Sequence, residues 1–284
     1  MCETEQALTA RVAEFKEQGF TVFKKMYLEE QMQLWREKHL DLQERGVRSN
    51  LGHAAWWFKD MTEHAPHLML PAVANQLILD FAERVMGPFI QLDNLTLAGF
   101  PSISPEEAAG KASGWHRDRW AQVPRSEVFE RPHAINAICY LQDLTDAYGP
   151  LRVIPASHRR PLTLAPDERG IPHPEEQIIH MEAGDVVVIH NALLHSGTPN
   201  TSGKTRYFFS IFYNLTWLRH TDNHAGPNVL QIIENARQRN DHRTMRLFGV
   251  DEHLEVRANS GFQEPDEMVW AKWAEADRVA IKQG

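Results

Sequence analysis

From residue 89 to 214 the chain is cut into short β-rich runs, each closed by a cluster of Gly, Pro, Asn or Asp. Short strands spaced by turn residues build all-β sandwiches and barrels, whereas a parallel sheet needs a helical crossover between successive strands. The predicted strands are 89–98, 114–118, 134–141, 151–154, 178–181, 185–190 and 204–214, with loops at 99–113, 119–132, 143–150, 166–175 and 199–203. Outside this stretch the period changes to that of helices. Leu8, Val12 and Phe15 recur at helical spacing over 4–18, Gly19 closes the run, and Phe20–Phe23 reads as a strand. Met32, Trp35, His39 and Leu42 share one side of a helix over 29–45. Val73, Leu77, Phe81 and Val85 mark another over 72–86, stopped by Gly87-Pro88. Helix returns at 227–239 and 265–281, while 50–65, with Trp56-Trp57-Phe58, reads as a lid or a packed loop. The expectation is one domain over 1–284: a helical part over 1–88, a β core over 89–218 and a helical part over 219–284.

A chain of 284 residues is long enough to bury a substantial core. Its two cysteines, Cys2 and Cys139, exclude a disulfide framework and the four-ligand cysteine zinc sites. With 30 basic and 38 acidic residues the formal charge is −8, which argues against a nucleic-acid surface. No apolar run reaches the roughly 18–20 residues of a membrane span. The acidic, polar opening Met1–Gln6 does not resemble a secretory signal. These features predict a soluble cytoplasmic enzyme acting on a small molecule, with no nucleic-acid or membrane partner and its oligomeric state left open. Fifteen histidines are the compositional surplus that needs explaining.

Trp115-His116-Arg117-Asp118 carries the most chemistry. In a strand, residues two apart share a face, so His116 and Asp118 can offer an imidazole and a carboxylate to one ion. A third ligand must come from far along the chain. The segment Gly184–Gly197 holds two candidates: His190, which ends the apolar run Val186–Ile189, and His195, which follows it and is preferred. Two histidines and one carboxylate leave coordination positions open, which suits ferrous iron in oxygenases better than a closed structural zinc site. Arg206 opens the run Arg206–Phe212, and a hairpin after His195 would return it to the metal site, where a guanidinium can clamp a dicarboxylate.

With Gly149-Pro150-Leu151-Arg152-Val153-Ile154-Pro155-Ala156-Ser157-His158 added to His116, Asp118, His195 and Arg206, the chain resembles the phytanoyl-CoA dioxygenase family over about residues 12–215. These are iron(II)- and 2-oxoglutarate-dependent oxygenases on a double-stranded β-helix, a jelly-roll, cupin-like core. One departure is Ala156, where family members commonly carry Gly. The resemblance implies that His116, Asp118 and His195 bind Fe(II), that Arg206 binds the distal carboxylate of 2-oxoglutarate, and that O2 is consumed with release of succinate and CO2. A carboxylate at 118 favours hydroxylation over halogenation, because related halogenases carry a small residue there. Further co-substrate candidates are Asn94 and Thr96 on an early strand, and Tyr140, which shares a strand face with Asn136 and Ile138. Trp115 either packs against the metal-bound groups or fills the core. Arg117 is expected in solvent, Arg119 and Trp120 reach substrate only if the strand breaks after 118, and His158 is expected to be structural. The alternatives are a non-catalytic or sensory β-barrel binding the metal or 2-oxoglutarate, the same machinery giving desaturation, epoxidation or cyclisation, and a zinc hydrolase that leaves Arg206 without a task.

Overall fold

The computed structural model describes residues 5–49, 55–123, 127–259 and 264–281. Among the described residues, nine strands run in chain order: β1 (Phe20–Phe23), β2 (Trp56–Phe58), β3 (Ile90–Phe100), β4 (Ala134–Tyr140), β5 (Leu151–Val153), β6 (Gln177–Ile179), β7 (Val186–His190), β8 (His195–Gly197) and β9 (Arg206–Leu215). Six form one sheet in the order β1-β7-β4-β9-β3-β2, and three form a second in the order β6-β5-β8. Neighbours pair antiparallel, with Phe20 opposite Ile189, Ile138 opposite Val187, and Val153 opposite both Gln177 and His195. β7 lies between β1 and β4, and its five residues are all buried, so its unbroken run Val186–Ile189 is what a central strand requires.

The chain divides into two compact units. The first is the chain up to Lys59 together with Thr96–Ile211; the second is Asp60–Leu95 together with the chain from Phe212 onward. In the first unit, Ala98, Ile138, Tyr140, Val187, Ile189 and Phe208 from the large sheet pack with Leu151, Val153 and Ile179 from the small one. The two sheets thus enclose one apolar interior, the double-stranded β-helix. Helices α1 (Glu5–Gln18) and α2 (Glu29–Glu44) belong to this unit; Phe15 of α1 and Trp35 of α2 are fully buried.

The second unit holds the short α3 (Met61–His64), α4 (Pro66–Val73) and α5 (Gln76–Met86). The predicted helix over 72–86 therefore starts later, at Gln76, because the Asn75 side chain accepts from the Leu77 and Ile78 amides and caps it there. Gly87, at φ +94°, ends it as expected. A four-residue helix, α6 (Pro105–Ala108), lies in the first unit. In the second, α7 (Pro227–Gln238), α8 (His242–Leu247), α9 (Leu254–Asn259) and α10 (Asp266–Ala280) complete the elements, α8 and α9 being unforeseen. Buried arginines knit these helices. Arg243 bonds Glu83, Asp80 and Gln76, while Arg246 and Arg257 share Asp277.

Two strand readings need correction. Residues 114–118 form no strand of their own. They lie extended beside β8, with a single bridge from His116 to His195 and further bonds from Ser113 N to Gly197 O (2.9 Å) and Asp118 N to Asn191 O (2.8 Å). Nor do β8 and β9 form a hairpin. They belong to different sheets, so the turn after Gly197 carries the chain from the small sheet to the large one. Of 50–65, residues 56–58 are an edge strand whose Trp57 packs on Phe100 and Phe208 at centroid distances of 6.0 and 5.6 Å. His53 lies outside the described residues, and His64 ends α3.

Candidate metal and co-substrate site

His116, Asp118 and His195 are the one group of three or more metal-ligating side chains among the described residues, their ligand atoms all within 4.8 Å of one another. His195 is placed by β8, and the backbone of His116 is tied to it by two bonds of 3.0 Å, His116 N to His195 O and the reverse. Asp118 Oδ1 stands 4.0 Å from His116 Nε2 and 3.8 Å from His195 Nε2. Each imidazole is oriented by its own chain: His116 Nδ1 donates to Gly114 O (2.8 Å) and His195 Nδ1 to Leu193 O (3.0 Å). A carbonyl only accepts, so the proton sits on Nδ1 and both Nε2 lone pairs face the carboxylate. Burial also pulls the His195 pKa down against the pull of Asp118, which favours the neutral ring that binds metals. The His116 side chain is 55% exposed and that of His195 only 6%, so the cluster opens on the His116 side. Two neutral imidazoles and a carboxylate fit ferrous iron.

The structure separates the two candidate histidines. His190 lies elsewhere in the first unit, its ring 4.9 Å from that of His158, with Nε2 on Glu130 O and Nδ1 accepting from Ala192 N. Burial lowers its pKa to about 3. His158 donates from Nε2 to Lys16 O (3.1 Å) and abuts Gly19, where a Cβ would lie 2.5 Å from its Nδ1.

Arg206 starts β9 and is 5% exposed. One of its terminal nitrogens, Nη1, donates to Tyr148 O (3.1 Å), Gly149 O and Thr198 O (2.8 Å), while Nε is buried without a hydrogen-bond partner. The guanidinium lies over the Phe100 ring, 5.4 Å from its centroid. Among the described residues its hydrogen-bond partners are carbonyls and no carboxylate pairs with it, although a buried cation is normally compensated by one. Tyr140 is near enough for the two groups to influence each other's ionisation, and burial raises its phenol pKa, keeping the hydroxyl a donor. Gly149 makes room for this seat: at φ +76°, a Cβ there would lie 2.2 Å from Thr198 O and 2.7 Å from Arg206 Nη1.

Thr96 is buried on β3 and donates to Ser210 O (3.5 Å). Asn94, also buried, lies on the stretch of β3 that belongs to the second unit. Asn136 is the residue of its strand face that reaches the metal cluster, donating from Nδ2 to Asp118 Oδ2 across 3.4 Å. Alternation along β4 singles out this face but not which member reaches Asp118. Arg117 is a correction. It is half-buried and donates to Ser157 O (2.9 Å), Ala192 O, Leu162 O (3.0 Å) and Arg160 O (3.4 Å), because the extended segment passes under loop carbonyls that have no strand partner. The chain turns directly after Asp118, leaving Arg119 and Trp120 exposed, with Trp120 at φ +64°. Trp115 is buried with Ile154, Leu164 and Leu194, its Nε1 donating to Ile171 O (2.8 Å).

A cluster of two histidines and one carboxylate on a double-stranded β-helix is the arrangement of the non-haem iron(II) oxygenases. The profile of the phytanoyl-CoA dioxygenase (PhyH) family matches residues 15–208, and the chain belongs to that family of iron(II)- and 2-oxoglutarate-dependent oxygenases. It is similar to an L-proline trans-4-hydroxylase of Streptomyces griseoviridis, 26% identical over 37% of this chain and 49% of the relative. The chain thus spans about half the length of that curated relative. Among solved structures it resembles the epimerase SnoN in complex with Fe3+, alpha ketoglutarate and nogalamycin RO (20% identity, TM-score 0.59, 75% of this chain and 85% of that one). It also resembles HygX from Streptomyces hygroscopicus with nickel, 2-oxoglutarate and hygromycin B bound (15% identity, TM-score 0.60, 77% and 90%). No helix among the described residues is long and apolar enough to cross a membrane.

Proposed function

We propose that this chain is a dioxygenase that couples oxidation of a small molecule, by hydroxylation, to conversion of 2-oxoglutarate into succinate and CO2, with one oxygen atom entering each product. His116, Asp118 and His195 hold Fe(II), and Arg206 holds the distal carboxylate of 2-oxoglutarate. The observation that carries the reading is Arg206: a buried cation, without a carboxylate partner among the described residues, with an unpartnered Nε, in the same unit as the three ligands. Iron, when bound, supplies the activation of O2.

The chain's own part is binding and exclusion. Nη1 is committed to three carbonyls, so the guanidinium is fixed in plane and its remaining edge is what a carboxylate meets. The Tyr140 hydroxyl, kept protonated by burial, adds a second donor. Trp57, Phe100 and Phe208 close the apolar side of this pocket and keep water from the anion. The opening at His116 is where substrate enters. A relative bearing a hydroxylase name supports hydroxylation, and neighbours solved with nogalamycin RO and hygromycin B support a small-molecule substrate. The buried, unpaired thiol of Cys139 is in keeping with the reducing cytoplasm.

The test is spectroscopic. Anaerobic Fe(II) plus 2-oxoglutarate is expected to give the weak visible charge-transfer band of the chelated keto acid, and no band after iron loading rejects the proposal. Arg206→Lys should weaken 2-oxoglutarate binding at least about tenfold, since an ammonium cannot replace the planar fork. Unchanged affinity would remove Arg206 from this role.

A further inference from the structure

Asp118 has two oxygens, and the structure treats them differently. Oδ1 faces the Nε2 atoms of both histidines, whereas Oδ2 accepts from Asn136 Nδ2 at 3.4 Å. The Asn136 amide is itself held from behind: Ser210 Oγ donates to its Oδ1 at 2.6 Å. Asn136 is on β4 and Ser210 on β9, adjacent in the large sheet, and both are buried. Thr96 on β3, the strand beyond β9, donates to the Ser210 carbonyl at 3.5 Å. A line of polar groups therefore crosses the sheet and ends on the one carboxylate of the cluster. Its polarity is defined, because a carboxylate only accepts and the amide must turn Nδ2 to it, leaving Oδ1 to receive the serine hydroxyl.

We propose that Asn136, oriented by Ser210, is a positioning residue that occupies the second oxygen of Asp118 and so presents Asp118 to the metal through one oxygen only. This inference rests on the three-ligand reading above. A carboxylate with both oxygens free can turn and chelate, and it would then take one of the positions that the co-substrate and O2 require. A carboxylate with one oxygen already bonded cannot do so without breaking that bond. The relay also removes rotational freedom from the Asp118 side chain, whose backbone is held separately, by its amide on Asn191 O and its carbonyl on Ala121 N. Partners of this kind, one bond behind the ligands, commonly change metal affinity by about 10–100-fold when removed.

The experiment is a titration of the full-length, metal-free protein with Co(II), followed by visible absorption and by the rise in Tm on metal binding. Asp118→Ala is run beside the wild type as the control for the ligand reading. Asn136→Ala should weaken Co(II) binding about tenfold or more, and Ser210→Ala should weaken it in the same direction by less. Ser210→Thr, which keeps the hydroxyl, should restore wild-type affinity. The double variant Asn136→Ala/Ser210→Ala should bind no worse than Asn136→Ala alone, since the serine acts only through the amide. A loss of Tm in the metal-free variants with unchanged Co(II) affinity makes the pair purely structural and overturns the proposal, as do additive losses in the double variant. If Asp118→Ala binds Co(II) as the wild type does, the three-ligand reading fails and this inference falls with it.

Discussion

Gly149 and Ala156 both sit at positive φ, +76° and +58°, within one short stretch, yet they differ in what a side chain would meet. At Gly149 a Cβ would collide with the Thr198 carbonyl and press on the guanidinium of Arg206, so glycine is required by contact as well as by conformation. If Arg206 and the three-residue cluster act as proposed, Gly149→Ala is expected to weaken 2-oxoglutarate binding about tenfold or more while leaving Co(II) affinity near wild type, because His116, Asp118 and His195 are not displaced. Equal loss of both would show that the two sites move together. Ala156 already carries its Cβ in the left-handed region, at a cost of about 1–2 kcal/mol, against the roughly 0.5–1 kcal/mol that glycine loses in chain entropy. Ala156→Gly should therefore stabilise the protein by about 0.5–1 kcal/mol, read as a higher denaturant midpoint with an unchanged slope. The departure from the family pattern is thus a change in strain, and the position explains why glycine is common there. These glycine demands are legible in the string Gly149–His158 only through resemblance; φ is not written in composition or periodicity.

Among the elements, sequence periodicity located most strands and helices within a few residues, because β7 and β9 are apolar runs and α5 carries a four-residue repeat. It failed where pairing, not pattern, decides. The segment 114–118 alternates like a strand but has a single bridge and only scattered further backbone bonds, and Arg117, a residue expected in solvent, ties it to the neighbouring loops. One guanidinium there supplies donors to carbonyls at Ser157, Arg160, Leu162 and Ala192, which lie in a short 3-10 turn and the loops around it, outside any ladder. Arg117→Met, which keeps the apolar stem and removes the donors, is expected to cost about 1–3 kcal/mol through those carbonyls. Hydrogen exchange should rise at 157–162 and 190–194 rather than along β4 or β9. Unaltered exchange in these loops would mean that water replaces the guanidinium without loss. The hairpin expected after His195 failed for a similar reason: strand spacing says nothing about which sheet a strand joins. Arg206 nevertheless reaches Thr198, because β9 faces its even-numbered residues inward to the same interior that β8 borders.

Across the whole molecule, the histidines of the described residues separate into the two rings of the proposed metal site, a set of buried neutral rings, and a remainder that is exposed or half-buried. His39, His158 and His224 have their pKa lowered by burial to about 4, and His190 to about 3. They occur in both units, so the effect is not confined to the β-helix. An unfolded histidine titrates near 6.5, so between pH 6.5 and about 4 the unfolded chain binds more protons than the folded one. Stability must then rise with pH through that window and fall on acidification, the opposite of a histidine that gains an anionic partner on folding. Each ring should withdraw about 1 kcal/mol between pH 6.5 and 5.5, so metal-free protein is expected to lose several kcal/mol over that single unit. His39 offers the cleanest check, since its ring is wedged edge-on between Phe58 and Tyr207 at centroid distances of 5.1 and 5.0 Å. His39→Phe should fill the same slot, leave stability at pH 7.5 nearly unchanged, and make the acid loss shallower by about the share of one histidine. Denaturant midpoints at pH 7.5 and 5.5 measure both quantities, and a wild-type stability that is flat down to pH 5 would show that these rings are not held neutral by the fold.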